Sequence, residues 1–286
     1  MPTKHVLVLQ TDFGLADGAV SAMYGVAAQV DPTLRVADLT HEIPPYDVWA
    51  ASYRLLQTVP YWPQGTVFVS VVDPGVGSTR RSLAVRTTGR QIIITPDNGT
   101  LSHIAHVIGI DEIRQINETT SRLAHSEESH TFHGRDVYAY NGARLACGEL
   151  DFADIGELVA VDSMVKLPII DAKIAEDGKT IEGIIDILDI RFGSLWTNIP
   201  LGLLRQLNIN NQDDLVVSIF HNGLQVYQNI MKFAKVFSDV KVGEPLVYIN
   251  SLLNVGVAVN QDSFSRLYHI GTGVEWSLHL RKAEPR

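Results

Sequence analysis

The spacing of apolar residues changes once along this chain, near residue 165. Before that point, short β-branched runs alternate with stretches of helical period. Val6-Leu7-Val8-Leu9 predicts a buried strand; Val20, Met23, Tyr24, Ala27 and Val30 then recur at helical spacing until Asp31-Pro32 stops them. Residues 34–39 predict a second strand, and residues 47–59 a second helix with Val48, Ala51, Leu55 and Val59 on one face. Residues 66–72, 83–86 and 91–95 predict three more strands, the last two joined by Thr87-Thr88-Gly89-Arg90, and residues 134–147 predict a helix. Strands that alternate with helices need crossover connections. The expected architecture is therefore an α/β, doubly wound, mostly parallel sheet over residues 1–165. Lys166-Leu167-Pro168 reads as a linker. Residues 166–286 then carry short alternating runs at 181–188, 214–220, 224–229, 245–250 and 255–259, with His221-Asn222-Gly223 as a hairpin turn. They predict a smaller antiparallel, barrel-like β domain.

A chain of 286 residues with 45% hydrophobic content buries a large core without help from cross-links. Its net charge of −9 opposes nucleic-acid binding, which needs clustered Lys and Arg, but suits a small cationic ligand. The single cysteine, Cys147, forms no internal disulfide and reads as a packed small residue. The apolar run at residues 5–9 is too short for a signal sequence or a membrane span. These features predict a cytoplasmic protein with no membrane partner.

In doubly wound sheets ligands collect beyond the carboxyl ends of strands. Thr11-Asp12-Phe13-Gly14, with Asp17 close behind, follows the first strand. Either carboxylate suits a ribose diol, or merely the cap of the helix that starts near Gly18. Asp73-Pro74-Gly75-Val76-Gly77-Ser78-Thr79-Arg80 follows the third strand, and its turn residues bring an Asp and an Arg close together, as a functional pair or a surface one. His133, in Phe132-His133-Gly134-Arg135-Asp136, precedes a predicted helix and is either a general acid or base or a packed histidine. In the second domain, Asp189 with Phe192-Gly193-Ser194 and Trp196 combines aromatic and polar groups fit for a purine, or for a β-domain core. Asn250-Ser251 and Asn260 flank a strand and can bind polar groups. His130 and His133 lack a third ligand at matching spacing, so no metal is expected. No dinucleotide or triphosphate loop is present.

Taken in order, Thr-Asp-Phe-Gly, Asp-Pro-Gly-Val-Gly-Ser-Thr-Arg, Pro96-Asp97-Asn98-Gly99, Phe-His-Gly-Arg-Asp and Phe192-Gly193-Ser194-Leu195-Trp196-Thr197-Asn198 resemble the S-adenosylmethionine hydroxide adenosyltransferase family, relatives of the fluorinase and chlorinase enzymes. The resemblance runs from about Val6 to Asn260. It implies a homotrimer with active sites between subunits, a catalytic set Asp73, Arg80 and His133, and no cofactor beyond S-adenosylmethionine as substrate. By the same match Asp12 holds the ribose diol, Asp17, Asp189 and Ser251 hold the methionine amine and carboxylate, and Phe192, Ser194 and Asn260 surround adenine. The halogenating relatives carry Tyr at the position of Asp73 and lack the equivalent of His133, and the fluorinase has a long insertion after the strand near Arg86. Here that connection is Thr87-Thr88-Gly89-Arg90, so the resemblance favours water over halide. The chain departs from the family pattern at Asn250-Ser251-Leu252-Leu253-Asn254-Val255-Gly256, which has no glutamate, and at Gln261-Asp262-Ser263, where small residues are usual.

The implied reaction is attack of an oriented water at the ribose C5′ with methionine leaving as a neutral thioether. The residues leave open which group takes the proton. A halogenase using the same substrate and a non-catalytic S-adenosylmethionine or adenosine binder are the rival readings.

Overall fold

The structure, a computed structural model, describes residues 4–284 and divides between Leu167 and Pro168 into two compact units. In the first, β1 (Leu7–Thr11), α1 (Ala19–Val30), β2 (Val36–Thr40), α2 (Val48–Thr58) and β3 (Val67–Val71) follow one another, then β4 (Ser82–Thr87), β5 (Ile92–Pro96), α3 (Ser102–Val107) and β6 (Ile110–Ile116). A π-helical segment (Gly134–Ala139) runs directly into α4 (Tyr140–Cys147), and β7 (Gly156–Val159) completes the unit. The strands form one sheet in the order β2-β1-β3-β5-β4-β6-β7.

Alternation along the strands explains the two winding directions. Leu7 and Leu9 of β1 and Val67, Val69 and Val71 of β3 point to one face and pack with Met23 and Ala27 of α1 and Ala143 and Ala146 of α4. Val8 and Phe68 point to the other and pack with Leu55 of α2 and Ile104 of α3. Strands buried on both faces read as continuous apolar runs, which is how β1 and β3 appear in the sequence. The pairings β1–β2, β1–β3 and β3–β5 are parallel. β4 runs against both β5 and β6, so the short 87–90 connection closes a hairpin within an otherwise mostly parallel sheet.

Two departures from the sequence reading concern helix and strand content. The helix predicted over 134–147 opens as a π-helix, a local widening that hydrophobic periodicity does not register. Ile110–Ile116 and Gly156–Val159 are strands that it passed over: the first carries Asp, Glu, Arg and Gln among its residues, and the second is a short strand at the sheet's edge.

The second unit contains β8 (Lys173–Ile174), β9 (Thr180–Leu188), β10 (Leu195–Pro200), α5 (Leu201–Gln206), β11 (Asp214–His221), β12 (Leu224–Phe233), β13 (Pro245–Ile249), β14 (Asn254–Val259), α6 (Phe264–Tyr268) and β15 (Gly273–Lys282). Strands β10-β14-β13-β12-β11-β15-β9 are hydrogen-bonded in that order, and β9 pairs with β10 to close a seven-stranded barrel. Every pairing in it is antiparallel except β12–β13. Ile181, Leu195, Val217, Phe233, Val257 and Leu280 fill the interior. Asn222 and Gly223 both take positive φ, 50° and 78°, the conformation that a two-residue hairpin loop between twisted strands demands. The sequence reading missed β15, and it left residues 195–200 out of its strands. No helix among the described residues is long and apolar enough to cross a membrane.

β9 and β10 slip by one residue at Asp186: Trp196 faces Ile187 while Thr197 faces Ile185. Asp186 is buried at this bulge, and burial pushes its carboxyl from the ordinary 3.8 up to about 7. The folded state therefore favours the neutral acid. That contribution is fully present below the ordinary carboxylate range and is lost as pH rises through about 7. We expect the melting temperature to fall between pH 5 and pH 8, and Asp186→Asn to remove part of that fall; a variant with the wild-type pH profile would show the titration lies elsewhere.

Candidate active site

β1 and β3 are neighbours, and their register pairs Thr11 with Val71. The loops leaving their carboxyl ends, one carrying Asp12 and Phe13 and the other Asp73, therefore emerge side by side. This is the topological switch point of the sheet, where the crossovers diverge to opposite faces and leave a crevice.

Each loop is fixed from below. His41 is buried with its Nε2 2.9 Å from Asp38 Oδ1 and its Nδ1 2.8 Å from Thr11 Oγ1. A carboxylate only accepts, so Nε2 carries the proton and Nδ1 accepts from the Thr11 hydroxyl. The Thr11 oxygen in turn accepts the Phe13 N–H at 3.2 Å. Asp12 accepts the Tyr46 N–H at 2.8 Å. In the other loop, Val76 N–H donates to the Asp73 carbonyl and Ser78 N–H to the Gly75 carbonyl. Gly77 follows with φ 76°, a conformation that glycine adopts without steric cost. These turns reverse the chain and bring Arg80 back over Asp73.

Arg80 is the hub. Its Nε lies 3.1 and 3.0 Å from the two Asp73 carboxylate oxygens, and its Nη2 lies 2.6 Å from Oδ2. Nη1 donates to Glu118 Oε1 at 2.5 Å and to Ser82 Oγ at 3.0 Å. Nη2 also lies 3.0 Å from His133 Nδ1. Ser82 Oγ donates to Glu118 at 2.5 Å and sits 2.8 Å from Tyr138 Oη, on a ring beneath the guanidinium. The Arg80 and Asp73 side chains are 9% and 5% exposed, so the pair is shielded from water, where a surface pair would contribute little. Burial would weaken the charge on Arg80, but Tyr138, Asp73 and Glu118 outweigh it and raise its pKa. Burial would likewise raise Glu118, yet the hydrogen bonds from Ser82 and Arg80 hold it below the usual carboxylate range. His133 is lowered, by burial first and then by the positive charge of Arg80, against the opposing pull of Glu118. The imidazole is therefore neutral at pH 7.

Asp12, Phe13, Tyr46, Asp73, Phe132 and His133 line one cleft of about 280 Å³. The histidine reaches it because the π-helical segment begins at Gly134, where an added Cβ would lie 3.1–3.2 Å from the Phe13 ring. The structure thus brings Asp12, Asp73 and His133 to one cleft, with Arg80 behind them. Asp17 does not line it: its carboxylate accepts the Ala19 N–H at 2.9 Å and caps α1.

The barrel unit holds its own pocket, of about 880 Å³. Asp189, Phe192, Ser194, Ser251 and Asn260 all line it. Gly193 takes φ 66° and packs against Ser263, leaving no room for a side chain. Phe192, 70% exposed, stands at the rim. Asn250 Oδ1 accepts the N–H groups of Leu252 and Asn254, which fixes the turn that presents Ser251. Asn260 donates to the Val240 carbonyl at 2.9 Å. Tyr248, whose hydroxyl accepts from Trp196 Nε1 at 2.9 Å, and Phe237, 5.1 Å from it centroid to centroid, add an aromatic wall. Arg191, Lys235 and Arg266 supply positive charge suited to a carboxylate.

The sequence reading missed Glu118, Ser82, Tyr46, Phe237 and Tyr248. Only the antiparallel register Ser82↔Ile116 brings Glu118, just past the end of β6, against Arg80, just before β4. No local motif carries that information. No group of three or more His, Cys, Asp or Glu among the described residues has the arrangement of a metal site.

Removing Arg80 leaves the buried carboxylate of Asp73 and the partly buried one of Glu118 without their cation. Arg80→Ala should destabilise the protein by about 3–5 kcal/mol in urea unfolding, with Arg80→Lys in between; an unchanged midpoint for both would show the cluster is not structurally coupled.

Residues 7–156 match the family described as SAM hydroxide adenosyltransferase N-terminal domain, and residues 183–277 the corresponding C-terminal domain. The chain is 38% identical over 252 residues to a protein of Salinispora tropica named (R)-S-adenosyl-L-methionine hydrolase, covering 87% of this chain and 88% of that one. It is 25% identical over 292 residues to a fluorinase of Actinoplanes sp., covering 94% and 95%. A crystal structure of an uncharacterized conserved protein from Thermotoga maritima superposes with a TM-score of 0.86 at 30% identity, over 96% of this chain and all of that one. The chain belongs to the SAM hydroxide adenosyltransferase family.

Proposed function

We propose that this protein hydrolyses S-adenosylmethionine to adenosine and methionine by attack of a held water at the ribose C5′. The observation that carries the reading is the convergence of Asp73 and His133, both fixed by Arg80, on a cleft that also presents Asp12. Hydrolase relatives stand at higher identity than the fluorinases, which supports water over halide as the nucleophile. Those relatives are named for the (R) form, so the sulfonium epimer with R configuration is the substrate we assign.

Methionine leaves as a neutral thioether and needs neither a general acid nor a Lewis acid. We therefore assign no cofactor and no metal. The difficulty lies with the nucleophile. Asp73 accepts a hydrogen bond from the water, His133 engages it through Nε2, and Arg80 holds both in place while keeping its own proton. Fixing the water in line with the C5′–S bond supplies up to about 7–11 kcal/mol of the barrier reduction. Asp12 is assigned to the ribose diol. Asp189 and Ser251 are assigned to the methionine amine and carboxylate, and Phe192, Ser194 and Asn260 to adenine. Asp17 is assigned to the methionine end by resemblance alone, since here it caps α1.

By resemblance to the family, we assign a homotrimer with active sites between subunits. The single cysteine accords with a cytoplasmic location.

Incubation with each sulfonium epimer in ¹⁸O-labelled water, with chloride present, should give labelled adenosine from the R epimer; chloroadenosine would move the assignment to a halogenase, and unchanged substrate to a binder. Asp73→Asn and His133→Ala should each lower kcat by about 100-fold or more with little change in KM, and full turnover in both would remove the catalytic set. Native mass measurement should give three chains. Mixed trimers of Asp73→Asn with Asn260→Ala should regain activity if each site draws on two subunits.

A further inference from the structure

The reaction releases a proton, and the cleft residues alone do not say where it goes. His133 Nδ1 lies between two opposite partners: Arg80 Nη2, a donor, at 3.0 Å, and Glu118 Oε2, an acceptor, at 3.4 Å. Each choice at Nδ1 decides what the other ring nitrogen offers. Against Arg80, Nδ1 is bare and Nε2 carries the proton, so the ring can donate to a water but cannot take its proton. Against Glu118, Nδ1 carries the proton and Nε2 presents a lone pair. His133 Nε2 is buried and has no protein partner, on a residue that lines the cleft with Asp73.

Glu118 also faces somewhere else. Arg80 and Glu118 line a second, polar cleft of about 500 Å³ together with Ser78, Ser82, Asn117 and Glu157. Asp73 and His133 are absent from that cleft, and Arg80 and Glu118 are absent from the first. The Glu118 side chain is 26% exposed, against 2% for His133. The ionic cluster therefore separates two cavities, with the imidazole facing one and the carboxylate facing the other.

We propose that Glu118 is a positioning residue that holds the proton on His133 Nδ1 and then receives it, passing it to solvent through the polar cleft. The inference rests on the hydrolase reading above. As the water oxygen bonds to C5′ and the C5′–S electron pair leaves with methionine, the water proton moves to His133 Nε2. The Nδ1 proton moves to Glu118 Oε2 and from there to a solvent water. The ring ends with its proton on Nε2 and with Nδ1 accepting from Arg80, and it resets by exchange with solvent. Arg80 selects one tautomer and Glu118 the other. Without the carboxylate, Nδ1 meets only the arginine and the ring is locked as a donor.

The test is Glu118→Gln, which keeps the size of the side chain and a carbonyl oxygen for Arg80 and Ser82 but cannot take a proton. The charged and titratable groups around His133 are Arg80, Asp73, Glu118, Arg122 and His130. In the wild type, kcat should rise with pH as His133 loses its proton and then level off. In Glu118→Gln, kcat should fall about 100-fold with KM within about 2-fold, and the plateau should give way to a continued rise with hydroxide. Glu118→Asp should recover part of the loss. ¹⁵N NMR of the imidazole, without substrate, should show an Nδ1–H population in the wild type that Glu118→Gln loses. Wild-type kcat and plateau in Glu118→Gln would overturn the proposal, as would an unchanged tautomer. If the wild type releases no adenosine, the hydrolase reading fails by itself, and the NMR comparison still decides the coupling of Glu118 to His133.

Discussion

A single buried guanidinium organises the chemistry of the α/β unit. Arg80 has five N–H donors in a fixed plane, and the fold offers them Asp73, Glu118, Ser82 and His133. None of these neighbours would be stable in its position alone. Two carboxylates this close repel each other, Asp73 with little hydration to offset it, and a neutral imidazole nitrogen facing a carboxylate would draw a proton. The cation resolves both conflicts at once. A lysine would place its charge at one point and reach fewer of these partners. The planar fork matters as much as the charge, and Tyr138 beneath it completes the enclosure.

The cluster is available only because the sheet delivers its members to one place. Asp73 arrives on the loop after β3, Arg80 at the approach to β4, Glu118 just after β6 and His133 at the mouth of the π-helical segment. The neighbouring β1 loop, braced through Thr11, His41 and Asp38, sets Asp12 beside Asp73. Rigid strands below and hydrogen-bonded loops above give pre-organisation, which is what a weak nucleophile such as water requires. The barrel unit works differently. Its pocket is walled by Phe192, Trp196, Phe237 and Tyr248, and its polar groups sit on turns. Flat aromatic surface with a few placed hydrogen-bonding groups is how proteins hold heteroaromatic rings.

Much of this was legible in the amino-acid order. The change from helical to alternating periodicity near residue 165 separated the α/β unit from the barrel, because burial on two faces and burial on one leave different patterns. Asp12, Asp73, Arg80 and His133 stood out because each lies in a short run of turn-forming residues next to a strand or helix. Local chemistry fixes such turns, and local chemistry is what a sequence displays. Asp17 shows the limit. The sequence offered a ligand or a cap, and in the fold its carboxylate accepts the Ala19 N–H at the start of α1.

Tertiary structure alone decided which distant side chains meet. Glu118 lies in an unremarkable polar stretch, and only the cross-strand register of β4 and β6 sets it against Arg80. Tyr248 and Phe237 join Trp196 only once the barrel closes through β9 and β10. Gly134, where the helix after His133 opens, lies so close to Phe13 and Val71 that an added Cβ would fall 3.1–3.4 Å from their side chains, a contact between segments far apart in the chain. Periodicity reports how each segment meets water or core, residue by residue. Register, closure and the pairing of buried charges are set by contacts between segments far apart in the chain, and those exist only in the folded protein.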